Sequence, residues 1–314
     1  MANKKGPTKG SGGKHRNALR GKGPTPKAED RVYHKAYKGK STGTSGSQSG
    51  KSGANRSRAQ GKGAGADWVV GRNPVLEAMT AGLPIKTAYV AEGAERDDRL
   101  NEIFRYAAEH SISLLQTTRA ELDRLTGGAV HQGVALQLPS YEYAYPGDLI
   151  ADAVNDETRA GLLVALDGIT DPHNLGAIVR SAAAFGAHGV IIPERRSASV
   201  TAVVWKSSAG ALARVPVAKA TNLNRVLQDA AKAGFTVVGL AGEGETDIAG
   251  VPGADGPVLL VVGSEGAGLA RLTRERCDVL ARIPIASEVE SLNASVAASI
   301  SLYEVARSRG DFTD

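Results

Sequence analysis

Residues 161–186 read GLLVALDGIT and then DPHNLGAIVRSAAAFG. The first part is a continuous apolar run, the pattern of a strand buried on both faces. The second opens on Asp171, Pro172, His173 and Asn174, a proline among polar residues of the kind that start helices. It continues with Leu175, Ile178, Val179 and Ala182 at helical spacing. A buried strand running directly into a helix predicts an α/β fold on a parallel sheet. One feature of the helix needs a reason. Gly176 and Arg180, four apart, share a face with Ala177 and Ala184 beside them. Such a face lets a ligand or a backbone come close while a guanidinium reaches out, and Asn174 is placed to cap the helix.

The alternation continues from 159 onward. Strands are expected at 161–166, 188–192, 215–219, 235–240, 258–262 and 280–284, and helices at 174–185, 201–212, 222–233, 267–275 and 292–308. Apolar strands alternating with helices predict a mostly parallel sheet covered on both faces, with ligands beyond the carboxyl ends of its strands. Upstream, 67–140 reads as a smaller α/β unit. It has a strand and helix in DWVVGRNPVLEAMTAG, a strand in IKTAYVAE, an amphipathic helix in DDRLNEIFRYAAEHS, then ISLLQTT, RAELDRLTG and QGVALQLP. Residues 141–158, with Pro146 and no clear period, read as a linker.

The net charge of +5 conceals an asymmetry. Residues 1–66 hold 16 Lys/Arg and only Glu29 and Asp30 as acids, a net of +14. Residues 67–314 hold 22 Lys/Arg and 31 Asp/Glu, a net of −9. The Gly/Ser/Lys-rich tail has too little apolar surface to offset its ordering entropy and is expected to be disordered. Its charge suits a polyanion such as RNA. SGSQSGKS (45–52) inside it lacks both the first glycine and the preceding strand of a phosphate loop. The lone Cys277 cannot form an internal disulfide. No secretory signal or membrane span is visible, so a cytoplasmic location is expected. Six scattered His and one Cys lack metal-ligand spacing.

Two further junctions stand out. VVGSEGAGL (261–269) places Gly263, Gly266 and Gly268 after a buried strand, marking a tight turn whose amides face a ligand. The spacing G-x-x-G-x-G is not the dinucleotide fingerprint, which argues against a nucleotide-dependent oxidoreductase. Glu265 either begins the next helix, where the dipole favours it, or fixes a cation such as Arg180. In IPIASEVESLNASVAASISLYE (283–304), Ser291, Asn293 and Ser295 gather at a helix start. Capping explains one of the three.

In this order and spacing the three stretches resemble the motifs of the SpoU (TrmH-type) family of RNA ribose 2'-O-methyltransferases of the SPOUT superfamily. The resemblance is closest to the bacterial enzymes that methylate a guanosine of 23S rRNA. GRNPVLEA and HQGVALQ within 67–140 resemble that family's ribosomal-protein-like substrate-binding domain. The resemblance implies a deep trefoil knot in the C-terminal domain, a homodimer formed through the C-terminal domain, and S-adenosylmethionine as cofactor. Arg180 would be the reactive group, helped by Asn174, Glu265, Ser291 and Asn293. Leu240, Ala241, Gly242, Gly263, Ile283 and Leu292 would hold the cofactor.

A guanidinium stays protonated in proteins, so Arg180 is better suited to clamp a phosphate and the 2'-oxygen than to act as a base; the proton acceptor is the phosphate or Arg180 itself in an unusually desolvated site. His173 is a second candidate base, but a lone His at such a junction more often caps or contacts RNA. A tRNA substrate and a non-catalytic RNA-binding or ribosome-assembly protein of the same fold are the alternatives. Intact Arg180, Glu265 and Asn293 argue against the second.

Overall fold

The computed structural model describes residues 67–286, 291–310 and 312. The basic tail expected over 1–66 lies outside the described residues.

Strand β5 (Leu162–Asp167) ends where α5 (Pro172–Ala184) begins. Asp171 rather than Asn174 caps α5, its carboxylate accepting the His173 amide at 2.9 Å. Pro172 occupies the first turn, where its missing N–H costs nothing. The cap falls to Asp171 because it precedes the proline; Asn174, already inside the helix, has its side chain free for another partner.

From β5 the chain continues through β6 (Gly189–Pro193), α6 (Ala202–Ser207), β7 (Val217–Ala220), α7 (Leu223–Lys232), β8 (Thr236–Leu240) and β9 (Thr246–Asp247). Then follow β10 (Val258–Gly263), α8 (Arg271–Arg274), β11 (Val279–Arg282) and α9 (Ala294–Arg309). The seven strands lie in the order β7-β6-β5-β10-β8-β11-β9, and every pair is parallel.

The period of two along the strands sorts the core into two layers. Leu162, Val164 and Leu166 of β5, with Val258, Leu260 and Val262 of β10, pack with Leu175, Ile178 and Val179 of α5 and Leu302 and Val305 of α9. Leu163, Ala165, Leu259 and Val261 face the other way, toward Leu227 and Ala230 of α7.

That second layer corrects the linker reading of 141–158. Residues Pro146–Asn155 form a helix, α4, that buries Leu149, Ile150 and Ala153 against the sheet. Pro146 sits at the start of this helix, where proline is favoured, and so punctuates rather than disrupts. Just upstream, the Tyr141 and Tyr143 hydroxyls accept the Val217 and Val200 amides at 2.9 and 2.8 Å. The segment is fastened along its length.

The helix expected over 201–212 is shorter. α6 ends at Ser207, Ala209 and Gly210 adopt left-handed conformations, and a 3-10 turn covers Ala211–Ala213. The helix expected over 267–275 shrinks to α8, because Gly268 is held in the preceding turn.

In the N-terminal part, β1 (Trp68–Val70), α1 (Arg72–Thr80), β2 (Thr87–Ala91), α2 (Asp98–Glu109), β3 (Leu114–Thr117), α3 (Arg119–Leu125) and β4 (Val134–Gln137) build a four-stranded sheet. Its order is β1-β4-β2-β3, with only β2 and β3 parallel. Val75 and Met79 of α1, Leu100 and Ile103 of α2 and Leu136 of β4 form its core. Ala202 and Trp205 of α6 pack against that core, and Lys206 pairs with Glu77 of α1. Among the described residues, no helix is long and apolar enough to cross a membrane.

Candidate active site

In a parallel sheet all carboxyl strand ends open on one side, and here a cleft of about 860 Å³ lies beyond those of β8, β10 and β11. Leu240 lines it from the end of β8 with Ala241 and Gly242 just beyond, Gly263 from β10, Ile283 from just after β11 and Leu292 from the approach to α9. The six residues expected at the cofactor thus line one cleft. Ser291, Asn293 and Glu265 line it as well.

The turn after β10 is built tightly. The Ser264 amide donates to Gly268 O at 3.0 Å, and the Gly268 amide returns a bond to Ser264 O at 2.9 Å. A Cβ at Gly263 would run into the Gly268 and Leu269 backbone, so only glycine lets the turn fold back over the strand end. The Asp167 carboxylate at the end of β5 accepts the Ala270 amide at 2.8 Å and fixes the far side of the turn.

This turn carries Glu265 into a three-residue network. Glu265 Oε1 accepts Asn174 Nδ2 at 2.7 Å and Asn293 Nδ2 at 2.8 Å. Asn293 Nδ2 also reaches Asn174 Oδ1 at 3.1 Å. Asn293 caps α9 with its other atom, Oδ1, which accepts the Ser295 and Val296 amides at 2.9 and 3.3 Å and the Ser295 hydroxyl at 2.6 Å. Capping and networking are therefore simultaneous duties of one side chain. Asn174 is buried, whereas Glu265 and Asn293 are exposed to the cleft. Two neutral amides hold the carboxylate, so Glu265 is not fixed by Arg180.

Arg180 stands apart. Six residues beyond Asn174 in α5, it lies about 9 Å further along the axis and about 240° round it. It is exposed, and no hydrogen bond or ion pair joins it to another described residue. Its small-residue face also has a structural occupant. A Cβ at Gly176 would collide with Ser207, so the glycine admits α6 rather than a ligand. The Ser181 hydroxyl on α5 meets that of Ser299 on α9 at 2.7 Å. His173 is exposed and does not line the cleft.

Sequence reasoning missed part of the lining. Glu243 and Arg274 form an ion pair at the cleft, and Ser264, Ala267, Leu269 and Ile285 are among the other residues of its wall. Arg274 gave no local signal, since its partner lies 31 residues upstream. Asp167, which anchors the turn through the Ala270 amide, was not singled out in the sequence either.

A family model described as SpoU rRNA Methylase family matches residues 161–303. One described as RNA 2'-O ribose methyltransferase substrate binding matches residues 68–144. A protein of Mycolicibacterium vanbaalenii, named an uncharacterized tRNA/rRNA methyltransferase, is 54% identical over 310 residues, covering 98% of this chain and 94% of its own. A protein of the same name from Mycobacterium avium is 52% identical over 306 residues, with the same coverage of 98% and 94%. Among solved structures, the SpoU methyltransferase AviRb from Streptomyces viridochromogenes in complex with AdoMet superposes with a TM-score of 0.55 at 28% identity. That superposition covers 78% of this chain and 91% of that one. The AdoMet-bound rRNA methyltransferase from Sinorhizobium meliloti gives 0.53 at 26% identity, over 77% and 87%. Relatives that share half their residues over nearly the whole chain, together with a family model matching 161–303, leave one assignment: the chain belongs to the SpoU methylase family.

Proposed function

We propose that the protein transfers the methyl group of S-adenosylmethionine to a ribose 2'-oxygen of structured RNA. A guanosine of 23S rRNA is the first candidate and tRNA the second. The observation that carries this reading is the cleft itself, with the Asn174–Glu265–Asn293 network at its rim. Its volume lies in the usual range for small-molecule sites. Its walls offer apolar surface from Leu240, Leu269, Ile283 and Leu292 for a purine, and polar groups from Ser264, Ser291 and Asn293 for a ribose and an amino acid tail. The residues present therefore fit the cofactor.

When bound, the cofactor supplies an electrophilic methyl group on a sulfonium centre. The chain's own task is to bring a ribose oxygen behind that carbon and to let its proton go. Glu265, immobilised by two asparagines, keeps the turn and the start of α9 in register around the reacting groups. Arg180 clamps a substrate phosphate and stabilises negative charge developing on the 2'-oxygen. The hydroxyl proton passes either to the phosphate oxygen beside it or to Arg180 itself where the complex desolvates the guanidinium strongly.

Arg180 does not reach the cleft of its own chain, so we place it at the cleft of a second copy in a homodimer. α5 presents it outward, and α9 exposes Val296 and Tyr303 as apolar contact surface. The deep trefoil knot implied by the family and the cytoplasmic location expected from the sequence belong to the same reading.

The test is to map 2'-O-methyl sites in rRNA and tRNA from a strain lacking the gene, then to restore them with purified protein. Loss and restoration of one 23S rRNA site is the expected result. A lost tRNA site moves the substrate to the second candidate. No change in either, with no methyl transfer in vitro, overturns the reading.

The tail enters as an RNA-binding arm. Deleting 1–66 leaves cofactor binding and the choice of nucleotide intact, because phosphate contacts position without specifying. It weakens RNA binding and flattens the slope of log affinity against log salt by roughly 0.7 to 0.9 per lost phosphate contact. Superimposable salt curves for full-length and shortened protein would return the tail to a solubilising role.

A further inference from the structure

Between β6 and α6 the chain passes through Glu194, Arg195, Arg196, Ser197, Ala198, Ser199 and Val200, and it is tied down almost throughout. The Glu194 amide donates to Ala220 O at 2.9 Å and the Ala198 amide to Ile169 O at 2.7 Å. The Ser197 hydroxyl donates to the same Ile169 oxygen at 3.3 Å. The Val200 amide donates to Tyr143 Oη at 2.8 Å, and the Tyr143 ring lies 3.9 Å under the Lys219 ammonium. Ala198 and Val200 are buried.

The two arginines between these ties behave in the opposite way. Arg195 and Arg196 are exposed, and neither makes a hydrogen bond or ion pair with another described residue. Arg196 also holds φ at 58°, a left-handed conformation unfavourable for any residue with a Cβ. Glycine would take that turn without strain. An arginine there keeps a charge at a fixed place, and backbone strain of this kind concentrates at functional sites.

The loop has a definite place relative to the cleft. β6 pairs with β5 and β5 with β10, all parallel. The loop therefore opens at the same end of the sheet as the Glu265 turn, two strand spacings or about 10 Å away. The carbonyl that anchors it belongs to Ile169, two residues before the cap of α5 and five before Asn174. Residues 67–314 are net acidic, so two adjacent arginines without a partner among the described residues, on a loop whose backbone is tied down, stand out against the charge of the body.

We propose that Arg195 and Arg196 form a phosphate-binding site for the RNA strand flanking the target nucleotide, setting the register of the substrate across the sheet's carboxyl edge. This rests on the reading of RNA as substrate. Guanidinium groups present a fork of donors that matches phosphate oxygens. Both are positioning residues, since a site about 10 Å from the cleft does not touch the reacting atoms.

The test uses the full chain, in vitro-transcribed unmodified 23S rRNA, and the variants Arg195→Ala, Arg196→Gly and their combination. Arg196→Gly removes the charge while easing the strain, so its melting temperature should equal or exceed that of the parent. For the double variant the slope of log affinity against log salt should fall by roughly 1.4 to 1.8, two contacts' worth. KM for RNA should rise about tenfold or more, as for loss of charge-assisted hydrogen bonds. kcat and cofactor affinity should hold. An unchanged slope and KM overturn the proposal, and so does a loss of RNA binding that comes with an equal loss of cofactor binding or melting temperature. The binding arm needs no catalysis. If the parent transfers no methyl group but the slope still falls, the functional reading fails and the phosphate site stands. If the parent methylates RNA and neither slope nor KM moves, the reverse holds.

Discussion

Arg180→Ala lowers methyl transfer by on the order of a hundredfold or more, the usual effect of removing one group that stabilises charge in a transition state. Cofactor affinity and melting temperature stay at parental values. Stability is spared because Arg180 is exposed and bonded to no other described residue. Its removal opens no cavity and strands no partner, and alanine is the best helix former. Initial rates at saturating RNA and cofactor, beside a cofactor titration and a thermal melt, provide the check. Near-parental turnover would remove Arg180 from the mechanism. Mixing this variant with one damaged in the Asn293 network adds a second readout. If Arg180 serves the cleft of a second copy, mixed dimers contain one intact site and activity returns. If it serves its own cleft, none returns.

Asn293→Ala is expected to damage two things at once. The cap of α9 is lost, costing about 1 kcal/mol, and Glu265 and Asn174 both lose a hydrogen-bond partner. A shift of about 1 Å in a positioned group can cost a hundredfold in rate, so activity should fall by that order. Asn293→Asp separates the two duties. The carboxylate still caps, and the helix dipole favours it. It also faces the Glu265 oxygen that the Asn293 amide now bonds at 2.8 Å, replacing a hydrogen bond with repulsion. The Asp variant should keep more of the helix's stability than the Ala variant while losing activity to a similar extent. Measuring kcat/KM and melting temperature on one preparation of each decides the matter. An Asp variant with parental activity would reduce Asn293 to a cap.

Where burial dictates the pattern, the fold was legible in the sequence. The runs at 162–166 and 258–262 are apolar throughout because helices cover both faces of the sheet. The two-residue β9 was not legible, since a strand that short at a sheet edge carries no period. α4 was misread because Pro146 was taken as a breaker, although Leu149, Ile150 and Ala153 repeat at helical spacing after it. The site was legible as a set of positions and not as a set of bonds. Glu265 meets Asn174 across 91 residues and Asn293 across 28, separations that no local rule spans. Gly176 misled for the same reason: its neighbour Ser207 lies on another helix.

The Asn174–Glu265–Asn293 network draws its members from three separate segments, and the last of them introduces α9. During synthesis, β5, α5 and β10 leave the ribosome before Asn293 does. Until that residue emerges, Asn174 and Glu265 lack the side chain that bonds to both. A nascent chain, or one cut short ahead of Asn293, can hold most of the sheet yet lacks the geometry for transfer. On the proposed reading, competence thus arrives with the final helix: a partial translation product keeps the segments proposed to bind RNA but not the assembled network.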